Sequence, residues 1–474
     1  MTIITENNLD DYVVSKNISK NISSFFKEYK IGSLLKKSNA YKSKGVHAAT
    51  VFAYLTQLVF TKKSMYMNIL NGTNQAGFGK DTVYRLLNAT FINWSAFLLR
   101  LASSAITGIA ALTSESRLNA LIIDDTMYAR PRSKKVELLA NVYDHSAKGG
   151  GRYKRGFRLL TLAWSDGVSL IPMLFRHLSS SEKKNRYNEI KAGMDKRSVG
   201  YKARQQALSS ATEVMLEMLR QSKKAFIPAK HVVFDSWFSF PKTVMQIHGI
   251  GYEVVGRLKD TSKIKYLAGD AKLTLKQIYA ANKKRRGRAK HLLSAEVSLY
   301  NDKKETLPAR IVFVRDRCNR SKWIAFVSTD LTLSEEDIVA LYGKRWDIEV
   351  FFKIGKSYLN LAREFQGLSY DSITAHTTVV MTRYIILAVR KRQNEDPRSL
   401  GELCCLLYDE MADIRFVDAL AVILCLLKDT LHECLFMTDS QINELIDGFI
   451  LKLSARLQMS LEEFCCPSDS LFAV

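Results

Sequence analysis

Two short apolar runs that each end in acid restrict this chain's fold more than any other feature. Residues 120–125 read ALIIDD, closing on Asp124 and Asp125, and residues 230–238 read KHVVFDSWF, with Asp235 after the last apolar residue. Brief runs rich in β-branched residues are buried strands. Between them, GFRLLTLAWSDGVSLIPMLF reads as two strands joined by an Asp-Gly turn, and KARQQALSSATEVMLEMLRQ reads as one helical segment. A helix (FPKTVMQIHG) and a further strand (YEVVGRL) follow Asp235.

Strand, strand, strand, helix, strand, with an acid ending the first strand and another ending the fourth, is the order expected of a ribonuclease-H-like α/β core. The flanks differ in texture. Residues 1–115 read as helical: VHAATVFAYLTQLVF has helical spacing, and KDTVYRLLN follows a break at Gly77 and Gly79. That pair is compatible with a helix-turn-helix presenting Tyr84 and Arg85, and equally with an ordinary helical bundle. Residues 260–333 carry the run KKRRGRAKH and alternating stretches such as SAEVSLY, ARIVFV and KWIAFVST, and are expected to be a β-rich insertion. The α/β core, its β-rich insertion included, is therefore expected over 116–385 and a helical C-terminal region over 386–474.

The formal charge of the 474 residues is +23, with a pI near 9.6. So large an excess points to a polyphosphate partner, because releasing condensed counterions drives binding. The seven cysteines show no CxxC spacing, which argues against a zinc ribbon or a disulfide scaffold. No uninterrupted apolar run reaches the length of a membrane helix, and the polar, acidic N-terminus does not look like a signal peptide. The expectation is a cytoplasmic protein with no membrane partner.

A helix opening with the cap Ser334 and acids at Glu335, Glu336 and Asp337 continues through Tyr342, Arg345, Glu349 and Lys356. At spacings of 3, 4 and 7 these four fall within an arc of roughly 60°. The rest of the circumference, with Trp346, Ile348, Val350, Phe351, Phe352 and Ile354, is apolar and expected to be packed. A solvated stripe has the same angles, but Tyr, Arg, a lone acid and Lys are an unusual choice for one.

The pattern Y-x2-R-x3-E-x6-K in YGKRWDIEVFFKIGK, together with IIDDT and VVFDSW upstream, resembles the signature of bacterial insertion-sequence transposases of the IS-four family, over residues 118–360. The resemblance implies a DDE transposase in which Asp124, Asp235 and Glu349 hold two Mg²⁺ ions, with Mn²⁺ an acceptable substitute. Two such ions about 3.5 to 4 Å apart activate the attacking oxygen and stabilise the leaving one, and hard oxygen ligands suit them. The family's Asp-x-Thr pattern selects Asp124 and places Thr126 on its face, while an acid preceding the catalytic Asp in some relatives leaves Asp125 as the alternative. Tyr342, Arg345 and Lys356 are then phosphate contacts. Trp323 is matched to a Trp that stacks on a base flipped out near the transposon end, with packing inside the insertion as the competing role. The basic segments RPRSKK, GGGRYKRGF and KKRRGR, through Arg130, Lys154 and Arg155 among others, are expected to meet DNA; His145 and His231 are expected to be structural, although His145 lies in a basic loop. The partners implied are double-stranded DNA, as terminal inverted repeats and target, and a second copy of the chain in a homodimeric synaptic complex, with residues 1–115 binding the DNA end and 386–474 available for dimerisation. Cut-and-paste transposition through a hairpin intermediate follows from the resemblance alone. Two alternatives stay open: a non-catalytic DNA-binding derivative of a transposase, and a ribonuclease-H-like nuclease or resolvase.

Overall fold

The computed structural model describes most of residues 20–408 and 439–452, leaving out 1–19, 71–76, 113–116, 145–151, 286–288, 317–318, 320, 396–398, most of 409–438, 453–474 and positions 43, 63 and 406. His145 and the glycines at 149–151 lie outside the described residues, as do all the cysteines except Cys404, which is buried, and Cys405, which is exposed. Helices come first: α1 (Lys20–Glu28), α2 (Ile31–Lys36), α3 (Ala48–Leu58), α4 (Met65–Leu70), α5 (Lys80–Leu87) and α6 (Trp94–Ala110). The core strands follow as β1 (Ala120–Ala129), β2 (Ala140–Asp144), β3 (Arg152–Ser165), β4 (Leu170–Leu178), β5 (His231–Phe234) and β6 (Glu253–Arg257). Between β4 and β5 lie α7 (Val199–Ala207) and α8 (Ala211–Lys224), and between β5 and β6 lies α9 (Pro241–Ile250).

β3 runs antiparallel to both β1 and β4, while β5 is parallel to β1 and β6 parallel to β5. The resulting order, β4-β3-β1-β5-β6, is the expected ribonuclease-H-like core. The Asp-Gly turn between β3 and β4 forms as read: Gly167 has φ 89°, and Asp166 Oδ1 accepts from the Val168 and Ser169 amides at 2.9 and 2.7 Å. Three details depart from the sequence reading. A short strand, β2, pairs with the start of β3. The single helix expected over 202–221 is two, because Ser210 and Glu213 form a capping box that starts α8 afresh. β1 also continues to Ala129, so Asp124 and Asp125 stand within a strand rather than at its end.

The β-rich insertion consists of β7 (Tyr266–Ala268), β8 (Ala271–Leu273), α10 (Leu275–Ala281), β9 (His291–Tyr300), β10 (Thr306–Arg315) and β11 (Trp323–Ser328). β11 pairs antiparallel with β6, so the insertion prolongs the central sheet beyond β6 in the order β11-β10-β9-β7-β8. The chain then forms α11 (Glu335–Gly343), α12 (Trp346–Ser357), α13 (Tyr370–Gln393) and, further on, α14 (Asp439–Ile450).

α13 is the axis of the molecule. It packs against α3, α5 and α6 on one side and β4 on the other, and every residue from Tyr370 to Val389 is buried. It is long and apolar enough to cross a membrane, yet its environment is protein throughout, which is the position of a core helix. The boundary expected at residue 385 falls inside it. The N-terminal helices and the sheet share one hydrophobic cluster, running from Phe25 and Phe52 through Leu160 to Ile385. Arg383 ties them further, donating to the carbonyls of Thr56 (2.9 Å), Leu55 and Leu359 (3.2 Å) and to Glu364 (3.0 Å). Of the two helices flanking the glycine break, α4 and α5, α5 leaves Tyr84 and Arg85 exposed as expected, but nine residues separate the helices, far more than the 3–4-residue turn of a helix-turn-helix.

A second buried arginine joins the β1–β2 connection to the helices. Arg204 of α7 donates to Glu137 at 2.6 and 2.7 Å and to Asp371 of α13 at 2.6 and 3.1 Å. Removing one partner of such a network strands the others in a low-dielectric interior. Arg204→Ala is therefore expected to cost about 3–5 kcal/mol, read as a fall in the urea midpoint, because two buried carboxylates lose their cation; a loss below about 1 kcal/mol would show that the network contributes little.

Candidate active site

The parallel ladder between β1 and β5 ends at the pair Ile123 and Phe234. The next residue on each strand is an acid, so Asp124 and Asp235 leave the ladder side by side. β1 stays paired with β3 on its other edge, which holds Asp124 and its neighbours in strand geometry. Alternation then separates the two adjacent acids. Asp124 and Thr126 face α12, whereas Asp125 is paired with Arg158, whose guanidinium lies 5.7 Å from the centre of the Trp237 ring.

The polar stripe meets this edge residue by residue. Arg345 Nη1 donates to Asp124 Oδ2 at 2.9 Å, and its Nη2 donates to Glu349 Oε1 at 2.6 Å. The Tyr342 hydroxyl donates to Asp235 Oδ1 at 3.2 Å, and Lys356 Nζ donates to Thr126 Oγ1 at 2.6 Å. The stripe thus spans two helices, not the single one expected. Lys344, Arg345, Asp347 and Ile348 each bond to the carbonyl three residues back, a tightened turn between α11 and α12. Lys344 and Arg345 keep right-handed helical dihedrals, so the stripe stays continuous across it. The Ser334 cap and its Asp337 partner form as expected.

α12 is anchored by Ile348, Phe351, Phe352 and Ile354, with the Phe351 ring edge-on to Tyr384 of α13 at 4.8 Å, and by Asp347, which accepts from Ser165 at 2.7 Å. It is not apolar-packed all round, because Trp346 is 64% and Val350 49% exposed. Burial pushes the Asp124 carboxyl up to about 6; Arg345 opposes this, and the charges of Asp125 and Asp235 add to it. Burial, then the charge of Asp235, pushes the Tyr342 hydroxyl up to about 12. Burial also lowers the Lys356 ammonium, against the pull of Asp144.

The three expected metal ligands are not gathered into one set: among the described residues no three His, Cys, Asp or Glu side chains converge to hold an ion. Arg345 stands between Asp124 and Glu349 and shares its one positive charge between them. The donor chemistry nonetheless fits a hard divalent cation. The acids are oxygen donors throughout, and the Asp124 carboxyl, raised chiefly by burial and further by the charges of Asp125 and Asp235, is one whose charged form a cation placed there would favour.

The other expected DNA contacts are distributed differently. Trp323 is half-buried in the insertion, stacked on Tyr279 at 5.4 Å and edge-on to Phe313 at 5.0 Å. Arg130 is 4% exposed with its guanidinium over the Tyr128 ring, an enclosed position that the surface role expected of it does not fit. Arg155 lies over Tyr187, and Lys154 pairs with Asp144 at 2.6 Å, both near the surface. Arg285 of the run KKRRGR pairs with Glu335 at 2.9 Å, and positions 286–288 lie outside the described residues. His231 is structural, buried against Asp330 at 2.9 Å. The sequence reading passed over Trp237, 51% exposed two residues beyond Asp235, and took Trp346 for core, although a Trp within three residues of Asp235 and of Glu349 was an available signal.

The model of the DDE superfamily endonuclease family matches residues 52–320, over half of the chain, a span that contains Asp124 and Asp235 and stops short of Glu349. No curated protein matches the chain. With a ribonuclease-H-like sheet that brings two motif acids together and a family match across most of that sheet, this chain belongs to the DDE superfamily of endonucleases.

Proposed function

We propose that this protein is a cut-and-paste DNA transposase of the IS-four type, cleaving the terminal inverted repeats of an insertion sequence and joining the 3′-hydroxyls to target DNA. One observation carries the reading: Tyr342, Arg345 and Lys356 reach the strand edge that bears Asp124 and Asp235, and Arg345 holds Glu349 beside it. A solvated stripe has no reason to meet two acids 107 and 221 positions away in sequence. Asp124, Asp235 and Glu349 are the residues that would hold Mg²⁺, which supplies charge stabilisation to the attacking and leaving oxygens of a phosphodiester. Arg345 and Lys356 bind phosphate, Arg345 exchanging its carboxylate partners for it, and Tyr342 orients Asp235 through its hydroxyl. The protein acts as a homodimer on paired ends. Purified protein mixed with the inverted repeats flanking its gene and Mg²⁺ tests the reading directly: end cleavage followed by strand joining supports it, cleavage with no joining favours a nuclease or resolvase, and binding with no cleavage a non-catalytic derivative.

Asp235→Ala and Glu349→Ala are each expected to lower cleavage at least about 10³-fold while duplex binding persists on the basic surface; near-normal cleavage by either removes that residue from the site. Asp124→Asn is expected to lose cleavage and Asp125→Asn, which loosens Arg158, to keep a measurable fraction; the reverse result shifts the first carboxylate by one position.

The raised Asp124 pKa also has a sign in stability. In the folded protein this carboxyl keeps a proton between about pH 4 and 6 that it has lost in the unfolded chain, so its contribution falls as pH rises through that window. Without divalent cation, Asp124→Asn is expected to gain on the wild type by up to about 3 kcal/mol between pH 4 and pH 7 in urea unfolding. Identical pH profiles for the two proteins would show that Asp124 is not held in this field.

A further inference from the structure

Where α6, α7 and α13 meet β4 lies a cavity of about 360 Å³, none of whose walls belongs to the catalytic edge. Two buried hydrogen-bond donors border it without an acceptor. Arg176 of β4 is 8% exposed; among the described residues its Nη2 reaches the Ser95 hydroxyl at a long 3.4 Å, its Nε has no partner, and no carboxylate stands at ion-pair distance. Trp94, 3% exposed, is fixed by stacking on Phe52 at 5.9 Å and by an edge-on contact with Phe97 at 6.2 Å, and among the described residues its indole N–H is unbonded. A buried guanidinium is ordinarily a structural cation, as Arg204 and Arg383 are, but those two are met by carboxylates. Offsetting the surplus charge of Glu137 and Asp371, which share Arg204, would account for another cation in this region. It does not account for a cavity beside that cation, a second donor left without an acceptor, and an exposed lysine, Lys202, on the same wall.

The walls are held in place. The first residues of both α6 and α7 line the cavity, so the positive ends of two helix dipoles bear on it. Asn93 caps α6 by accepting from the Ala96 amide at 2.9 Å, and Ser198 caps α7 by accepting from the Tyr201 amide at 3.1 Å. The Gly200 amide donates to the Thr90 carbonyl at 2.8 Å, and a Cβ on Gly200 would stand 2.6 Å from Asp371 Oδ1, so only glycine lets α7 start this close to α13. Asp371 also lines the cavity, but Arg204 holds both of its oxygens, at 2.6 and 3.1 Å, and Arg176 is left to other acceptors. Ile92 and Leu99 make part of the wall apolar. A guanidinium, an indole N–H, a hydroxyl and an ammonium suit an anion with three terminal oxygens better than a carboxylate with two, and the apolar wall leaves room for a small organic group attached to it.

We propose that this cavity binds a small phosphate-bearing molecule, Arg176 and Lys202 compensating its charge while the Trp94 N–H and the Ser95 hydroxyl complete its hydrogen bonds. Such a ligand would touch α6, β4 and α7 at once and brace the N-terminal helices against the sheet. The proposal is independent of the transposase reading.

The test titrates full-length protein with inorganic phosphate and, separately, with AMP at constant ionic strength, by calorimetry and by the rise of the thermal midpoint that a ligand of the folded state produces. Arg176→Gln is expected to weaken phosphate binding at least about tenfold, and Trp94→Phe, which keeps the ring packing and removes only the N–H, several-fold. Circular dichroism verifies each fold; should Arg176→Gln not fold, Trp94→Phe and the exposed Lys202→Ala carry the comparison. Tighter binding of AMP than of phosphate identifies a phosphomonoester ligand, and equal binding identifies free phosphate; either supports the proposal. No binding by the wild type, or equal binding by all variants, overturns it. Phosphate binding that is lost with Lys356→Ala and kept by the cavity variants belongs to the catalytic edge, and cavity variants that lose affinity for duplex DNA in parallel make this a DNA contact; both results overturn the proposal as well.

Discussion

Confinement of like charge where the parallel β1–β5 ladder stops is the constraint on which the rest of the site depends. Two strands in parallel register place Asp124 and Asp235 side by side where their ladder ends, and burial of Asp124 strips it of the water that would screen the neighbouring charges. Something positive has to stand there. In this structure it is Arg345, bonded to Asp124 and Glu349 at once, and the same field is what a divalent cation would relieve. The arginine and a cation are thus alternative answers to one electrostatic demand, and on the proposed reading Arg345, which bridges Asp124 and Glu349 here, would be the group that turns to phosphate.

Meeting that demand requires α12 to be held at a defined height above the sheet. Its apolar side does so through Phe351 against Tyr384, and Asp347 through Ser165 at the far end of β3. α13, which carries Tyr384, is itself gripped by Arg204 and Arg383, each satisfying several buried acceptors. Those buried cations are costly to desolvate and are tolerated because each is bonded to carboxylates and carbonyls around it. The position of the site is therefore decided by contacts well away from it, and the N-terminal helices, sharing the same core, belong to that support.

The charge of the chain divides along similar lines. Near the catalytic edge most cations have partners: Arg158 with Asp125, Lys154 with Asp144, Arg345 with two acids. Around α2 and the approach to α3, among the described residues, Lys36, Lys37, Lys42 and Lys44 have no acidic partner, and they stand beside the exposed rings of Tyr41 and Phe91. Catalytic chemistry needs compensated charge that can be exchanged, whereas backbone binding needs uncompensated charge whose counterions can be released.

Much of the fold was legible in the amino-acid order because its signals are local. Apolar runs ending in acid gave β1 and β5, an Asp-Gly pair gave the β3–β4 turn, and Ser334 with Asp337 gave the start of α11. The angular arithmetic that put Tyr342, Arg345, Glu349 and Lys356 on one face survived because the tightened turn between α11 and α12 keeps helical dihedrals. What local pattern could not contain is what a residue meets across the chain. The insertion joins the central sheet only because β11 finds the free edge of β6, and Asp125 differs from Asp124 only because β3 brings Arg158 to one face of β1 and α12 brings Arg345 to the other. Trp323 and Trp346 are equally apolar in sequence, yet one is enclosed by Tyr279 and Phe313 and the other stands in solvent. By itself the sequence determined which residues could act and on which side of their own strand or helix they lie, because backbone periodicity is a local property; only the tertiary structure decided which of them share a neutralising partner, because burial and Coulomb contact depend on segments hundreds of residues apart.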